Sequence, residues 1–235
     1  MQQMPAIFKN QLLAKLSLAD RARVVPHLAP VNLPMRLSLV TPGETIERCF
    51  FFESGVASVV SSTADGKQAE IGIIGREGMV DVAAVMGGAS SPLEVFVQMP
   101  GEAYAIATGE LTAILDESRD FRRLLLGFAQ SFLIQVSHTA LATVTLNIED
   151  RLARWPLMSC DRSESDTFPV THEFLSLMLG VRRAGVTDAL NKLASTWLIA
   201  TSRGQITILD RTALEKRAGD NYGVPEANYR DLVGD

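Results

Sequence analysis

The chain has 235 residues, with 22 Lys and Arg against 27 Asp and Glu and a net charge of −5. Hydrophobic residues at 47% and charged ones at 21% suit one large globular domain or, better, two compact ones that each bury a core. No run approaches the ~18 uninterrupted apolar residues of a membrane span, no signal-peptide pattern opens the chain, and Cys49 and Cys160 are too far apart to read as a metal-ligand pair; the expectation is a cytoplasmic protein with no membrane, metal or cofactor.

In chain order, a helix is expected first, over 7–19, with Leu12, Leu13 and Leu16 at helical spacing. Short β-rich runs follow: MRLSLV, TIERCFFF, VASVVSS, AEIGII, LEVFVQM and EAYAIA. Turn signals separate them, among them Pro42-Gly43, Ser54-Gly55, Gly87-Gly88 and Pro100-Gly101. Many short strands at near-regular spacing predict a sandwich or barrel-like roll. Asp65-Gly66, between VASVVSS and AEIGII, is a strong hairpin signal.

The pattern turns helical near Leu111. Between Asp120 and Arg154 there is no proline and a single glycine, Gly127. Phe121, Leu124, Leu125, Phe128, Phe132, Gln135, Val136, Thr139 and Thr143 follow a three-four alternation over a length well beyond an average globular helix. This predicts a dimer seam; the alternative is a helix packed lengthwise on its own domain. Pro156 and the polar stretch SCDRSESDT (159–167) are expected to break the chain before a last domain.

That last domain opens with Thr171, a good N-cap for HEFLSLML. Gly180 fits a tight turn, and a second helix then buries Val186, Leu190 and Leu193. Its outer face keeps Arg182, Arg183, Thr187, Asp188, Asn191 and Lys192. Short helix, glycine turn and second helix make a helix-turn-helix, whose second helix enters the DNA major groove by its N-terminal end. LIAT and QITIL flank Ser202-Arg203-Gly204, a hairpin with a basic tip that reads as a wing. Gly185 is expected to let the second helix lie close to a phosphate backbone. Arg183 offers a two-pronged donor to guanine, and Asp188 either accepts from a cytosine amino group or repels phosphates. Residues 168–219 hold seven Lys/Arg against four acids, a charge of +3 that leaves −8 on the remainder, an asymmetry expected of a partner-facing module.

Taken together, these stretches resemble the family of the cyclic-AMP receptor protein and the fumarate-nitrate regulator, the Crp/Fnr family. THEFLSLMLGVRRAGVTDALNKLASTWLIATSRGQITILD is similar to its DNA-binding domain, NIEDRLARW (147–155) to the segment after its dimer helix, and PGETI with FFFESGVASVV to strands of its cyclic-nucleotide-type roll. The resemblance implies an α+β chain in three parts: a β-roll sensor over 1–118, a dimerisation helix over 119–147, and a winged helix-turn-helix over 148–235. It also implies a homodimer on a palindromic operator in double-stranded DNA, with RNA polymerase as a further partner and a small-molecule effector.

The family's nucleotide-binding members hold the cyclic phosphate with a Gly-Glu pair and a downstream arginine. Here the matching region is GREGMVDVAAVMGGASSPLEVFVQM (75–99), which has no Arg or Lys between Gly88 and Arg119. The expected effector pocket, Glu77, Gly78, Met79, Ser90 and Ser91, with Glu94 nearby, is therefore a poor anion site. Two cysteines are too few for an iron-sulphur cluster. His27 and His172 fall outside the roll, and His138, on the long helix, is expected to be structural. Three histidines outside any catalytic motif argue against an enzyme. The leading reading is a DNA-binding regulator whose ligand is different from a cyclic nucleotide, or whose roll is a scaffold. A cyclic-nucleotide-responsive regulator and a winged domain that binds protein are the alternatives.

Overall fold

Where one opening helix was expected, the chain forms two, α1 (Gln11–Ala14) and α2 (Leu18–Val24). The computed structural model describes residues 7–163 and 165–234, so Met1 to Ala6, Glu164 and Asp235 lie outside the described residues. Two caps divide the helices. The Asn10 side chain accepts from the backbone N–H of Leu12 and Leu13, and Ser17 Oγ accepts from Asp20 N at 3.0 Å. A second capping residue inside a periodic stretch starts a new helix.

Eight strands form the roll: β1 (Ala29–Leu33), β2 (Ser38–Val40), β3 (Arg48–Phe52), β4 (Val56–Ser62), β5 (Gln68–Ile74), β6 (Met79–Val80), β7 (Glu94–Met99) and β8 (Gly101–Ala107). They pair antiparallel in two four-stranded sheets, ordered β1-β8-β3-β6 and β2-β7-β4-β5. The β4–β5 hairpin turns at Gly66, whose φ of +83° suits glycine. Cys49, Phe51, Phe52, Val59, Ile74 and Val97 fill the space between the sheets. The sequence reading missed β1 and β6: APVNL carries a proline, and β6 is two residues long. The short helix α3 (Val82–Val85) follows β6, and α4 (Thr108–Glu117) leads from the roll to α5 (Arg119–Thr145).

Helix α5 corrects the dimer seam. Phe121, Leu125, Phe128, Phe132 and Gln135 are buried in the protomer's own core, while Leu124 and Val136 pack against it half-buried. Thr139 is also half-buried and accepts from Arg154 Nη1. Glycine makes the close approach possible: a β-carbon on Gly78 would stand 2.1 Å from Phe128 Cζ, and one on Gly72 2.8 Å from Phe132 Cε2. The helix is long and apolar enough to pass for a membrane span, yet this stripe belongs to the roll. The stripe left outside consists of Leu126, Gln130, Leu133, Ser137, Ala140 and Val144, spaced four and three apart and all exposed.

After Asn147 the chain continues as α6 (Ile148–Ser163). Pro156, expected to break it, sits inside this helix. Burial of Leu152, Trp155, Leu157 and Met158 outweighs the backbone bond that proline forfeits. The last part comprises β9 (Thr167–Pro169), α7 (His172–Leu179), α8 (Arg183–Ser195), β10 (Ile199–Ser202), β11 (Gln205–Ile208), α9 (Arg211–Ala218) and α10 (Val224–Val233). Its strands pair in the order β10-β11-β9. Val56, Ile73 and Met99 of the roll join the core of this part, and Phe96 meets Phe174 of α7 edge-on at 6.1 Å.

The amide of Gln135 ties α5 to the roll. Its Oε1 accepts from Ile73 N at 2.8 Å, and its Nε2 donates to Ile73 O at 3.1 Å, both buried. Gln135→Leu would leave both Ile73 groups without a partner, and stability should fall by about 1–3 kcal/mol, measured by urea unfolding.

Candidate DNA-reading face and effector region

Thr171 caps α7 as expected, its Oγ1 accepting from Phe174 N at 3.1 Å. Gly180 ends that helix in the left-handed region at φ +62°, which glycine enters without steric cost. Arg182 is then the N-cap of α8 and Arg183 its first residue. Val186, Ala189, Leu190 and Leu193 form the buried face. Arg182, Arg183, Asp188, Asn191 and Lys192 are exposed. Arg203 stands exposed at the tip between β10 and β11, beside Gly204 at φ +74°.

Three expectations for this face need correction. Gly185 does not clear a path for DNA: a β-carbon there would meet Ile148 Cδ1 at 3.2 Å, so the glycine lets α8 pack on α6. Thr187 is half-buried, and its Oγ1 is taken by His172 Nδ1 at 3.0 Å and Arg183 O at 3.2 Å. Lys192 forms an ion pair with Glu149 of α6, and this bond holds the Glu149 carboxyl below its usual range.

Two basic residues of α9 are paired as well. Arg211 binds Asp161 at 2.6 Å and Glu215 at 2.8 Å, and Arg217 binds Asp150 at 2.9 Å. Within residues 168–219, Arg182, Arg183, Arg203 and Lys216 form no ion pair. Within that span the positive surplus thus lies on the start of α8, the wing tip and one position of α9.

The five residues of the expected effector pocket do not converge. Gly78 and Met79 are buried beneath α5, with Phe128 over Gly78. Ser91 is buried and accepts from Leu93 N, whereas Ser90 is exposed and bridges to Thr45. Glu77 turns the other way, accepting from Gly75 N at 3.0 Å and from Arg162 Nε at 2.8 Å. His27 pairs with Glu110, and His138 Nδ1 is enclosed without a hydrogen-bond partner.

What sequence reasoning missed is the boundary between sensor and reading domain. The Arg162–Glu77 pair crosses it with side chains only 9% and 12% exposed. Tyr229 of α10 donates to Glu77 O at 2.7 Å and sits 2.9 Å from Gln11 Oε1. Val233 enters the sensor core, and α10 lies so close to α5 that a β-carbon on Gly127 would be 2.8 Å from Leu232 O. A cavity of about 430 Å³ beneath α10 is lined by Glu77, Arg162, Arg211, Tyr222 and Tyr229. The one sequence signal was Gly127, the lone glycine of a long helix.

Asp81 is a strained point in the sensor. It is buried, holds φ at +95°, and leaves Oδ2 unpartnered. Burial raises its carboxyl from 3.8 to about 6. Between those values the folded chain binds more proton than the unfolded one, so this group's contribution to stability falls as pH rises from about 4 to about 6. Asp81→Asn should therefore gain about 1–3 kcal/mol at pH 8 and little at pH 3.5, measured by denaturant unfolding at both.

Against known families, residues 30–118 match the cyclic nucleotide-binding domain and residues 150–217 the Crp-like helix-turn-helix domain. Solved structures similar to the chain include three regulators. A Crp/Fnr-family transcriptional regulator from Eubacterium rectale has 17% identity and a TM-score of 0.69, over 88% of this chain and 97% of its own. FixK2 from Bradyrhizobium japonicum has 14% identity and a TM-score of 0.70, over 82% and 98%. The global regulator CLP from Xanthomonas campestris, described as c-di-GMP responsive, has 16% identity and a TM-score of 0.67, over 83% and 100%. No curated protein sequence matches the chain. At these identities the structural likeness speaks for the fold alone.

Proposed function

The chain is a Crp/Fnr-type transcription regulator, a cyclic nucleotide-binding domain joined to a Crp-like helix-turn-helix, and on that premise we propose that it acts in the cytoplasm as a homodimer on a palindromic DNA site, with RNA polymerase as a further partner. The observation that carries the reading is the set of exposed, unpaired arginines Arg182 and Arg183 at the start of α8 and Arg203 on the wing. Arg183 reads a guanine edge, and Arg203 contacts phosphate. Lys192 reaches phosphate only by leaving Glu149, so its share is smaller than that of Arg203.

The dimer forms through the outer stripe of α5. Leu126, Leu133 and Val144 are 41%, 64% and 86% exposed, and their four-three spacing is that of a coiled-coil seam. A two-fold axis along this seam would set the recognition helices one DNA turn, ~34–36 Å, apart. The buried Gly78 and Met79, the lack of a cassette arginine and the outward turn of Glu77 support an effector other than a cyclic nucleotide in the roll, or none there.

In gel-shift titrations, Arg183→Ala should cost about 1–3 kcal/mol on the specific site and relax preference at one base pair per half-site. Arg203→Ala should weaken all sequences alike and flatten the salt slope by about one unit. Equal losses on specific and random DNA for Arg183→Ala would remove its base-reading role. For the seam, Leu133→Asp should give a folded monomer in light scattering where the unaltered chain gives a dimer; a dimeric Leu133→Asp protein would put the interface elsewhere.

A further inference from the structure

Strands β2 and β3, the loop between them and Asp81 line a cavity of about 680 Å³ in the sensor, within the range of small-molecule sites. None of the five residues of the expected effector pocket lines it. Leu39, Val40, Ile46 and Phe50 supply apolar surface, and Ser38, Thr41 and Thr45 supply hydroxyls. The loop is pinned to the segment after α3: Gly43 N donates to Ser91 O at 2.8 Å and Ile46 N to Ala89 O at 2.9 Å.

Acids outnumber bases along this lining. Asp81, Glu44 and Glu47 stand against one cation, Arg48, and none of the four has an ion pair among the described residues. Glu44, Glu47 and Arg48 are exposed, so water solvates them. Asp81 has no such recourse. It is 6% exposed, and its Oδ2 is enclosed without a hydrogen-bond partner. A carboxylate buried in this way is costly unless something pairs with it. Burial raises the group to about 6, so at neutral pH it is still mostly ionised. A cation in the cavity would supply the missing counter-charge. Glu44 and Glu47 would draw that cation in, and Phe50 adds an aromatic surface, which favours positive charge. A bare divalent ion needs several converging ligands, and among the described residues no group of three or more His, Cys, Asp or Glu could hold one. With apolar side chains beside the carboxyl, the fitting occupant is an organic cation.

We propose that this cavity binds a small organic ammonium, a primary amine on an apolar body, with its charge against Asp81. An ammonium has three donors, one for the unpartnered Asp81 oxygen and the others for Glu44 or the threonine hydroxyls. The apolar residues receive the rest of the ligand. Its role as effector rests on the DNA-regulator reading; its binding does not.

Asp81→Asn is the decisive variant. Asparagine keeps the size and tolerates a positive φ, and the variant is expected to be the more stable protein at pH 8, so lost binding would not mean a lost fold. Nitrogen-15 spectra of the full chain at pH 8 follow the backbone amides of residues 41–48. Benzylamine and butylamine serve as ammonium probes, with neutral benzyl alcohol as control. At least one amine should move these signals saturably with a dissociation constant below ~1 mM, and benzyl alcohol should bind at least about tenfold more weakly. Asp81→Asn should weaken the amine about tenfold. No saturable shift up to ~10 mM with either amine, benzyl alcohol binding as tightly as benzylamine, or unchanged affinity in a folded Asp81→Asn protein would overturn the proposal. Gel shifts on ligand-free protein test the DNA reading separately.

Discussion

A β-carbon on Gly78 would stand 2.1 Å from the ring of Phe128, and the closeness this glycine permits governs the sensor half. It lets α5 lie directly on the roll, with Phe128 and Phe132 filling what would otherwise be open space at Gly78 and Gly72. A packed interior tolerates little added volume, and the space beside Gly72 and Gly78 is occupied by the protein's own side chains. The same contact rotates α5 so that a second apolar stripe faces outward. The packing of α5 on the roll and the exposure of its outer stripe are therefore two results of one packing choice.

Polar chemistry gathers at the domain boundary. Glu77, a cassette residue by sequence, serves there as the partner of Arg162, and its backbone carbonyl takes the Tyr229 hydroxyl. Such a buried pair adds little net stability beside a well-packed apolar one, but loss of either partner strands a charge. It fixes one relative placement of the two domains. Helix α6 carries this arrangement on opposite sides: Arg162 faces the sensor, Glu149 and Asp150 hold Lys192 and Arg217 of the reading domain, and Arg154 spans α5 and Asn221. A shift of α6 would disturb all of these at once.

Much of this was legible in the sequence where the signal is local. Asp65-Gly66 as a hairpin, Thr171 as a cap, Gly180 as a turn and Ser202-Arg203-Gly204 as a wing tip all depend on a few neighbouring residues, and the structure bears each of them out. What was not legible depends on choices between equivalent patterns. Helix α5 carries two stripes with the same four-three spacing, 121-125-128-132-135 and 126-130-133-137-140-144, and periodicity alone cannot say which faces the roll. The richer aromatic content of the first decided it. Pro156 and Gly185 mislead for a related reason: each breaks a local rule, and the compensation lies in distant contacts, burial around α6 for one and Ile148 for the other. The role of α10 had no local signal beyond Gly127, whose partner is a hundred residues away.

The pairing of basic residues narrows the reading surface beyond what net charge can do. Seven Lys and Arg in residues 168–219 suggest a broad electropositive face, yet Lys192, Arg211 and Arg217 are bound to carboxylates. Exposed pairs of this kind contribute little to stability, so their main effect is to remove these three cations from the free positive charge while the N-terminal end of α8 stays charged. Non-specific attraction to phosphate grows with the number of free cations, whereas base reading depends on a few donors in fixed geometry. On the reading proposed above, pairing these three cations while Arg182, Arg183 and Arg203 stay free lowers sequence-independent attraction and leaves Arg183 available to a base edge. The Lys192–Glu149 pair adds a further consequence: because Glu149 sits on α6, the helix that links the domains, any movement of α6 that released Lys192 would return one phosphate-binding cation to the edge of the recognition helix.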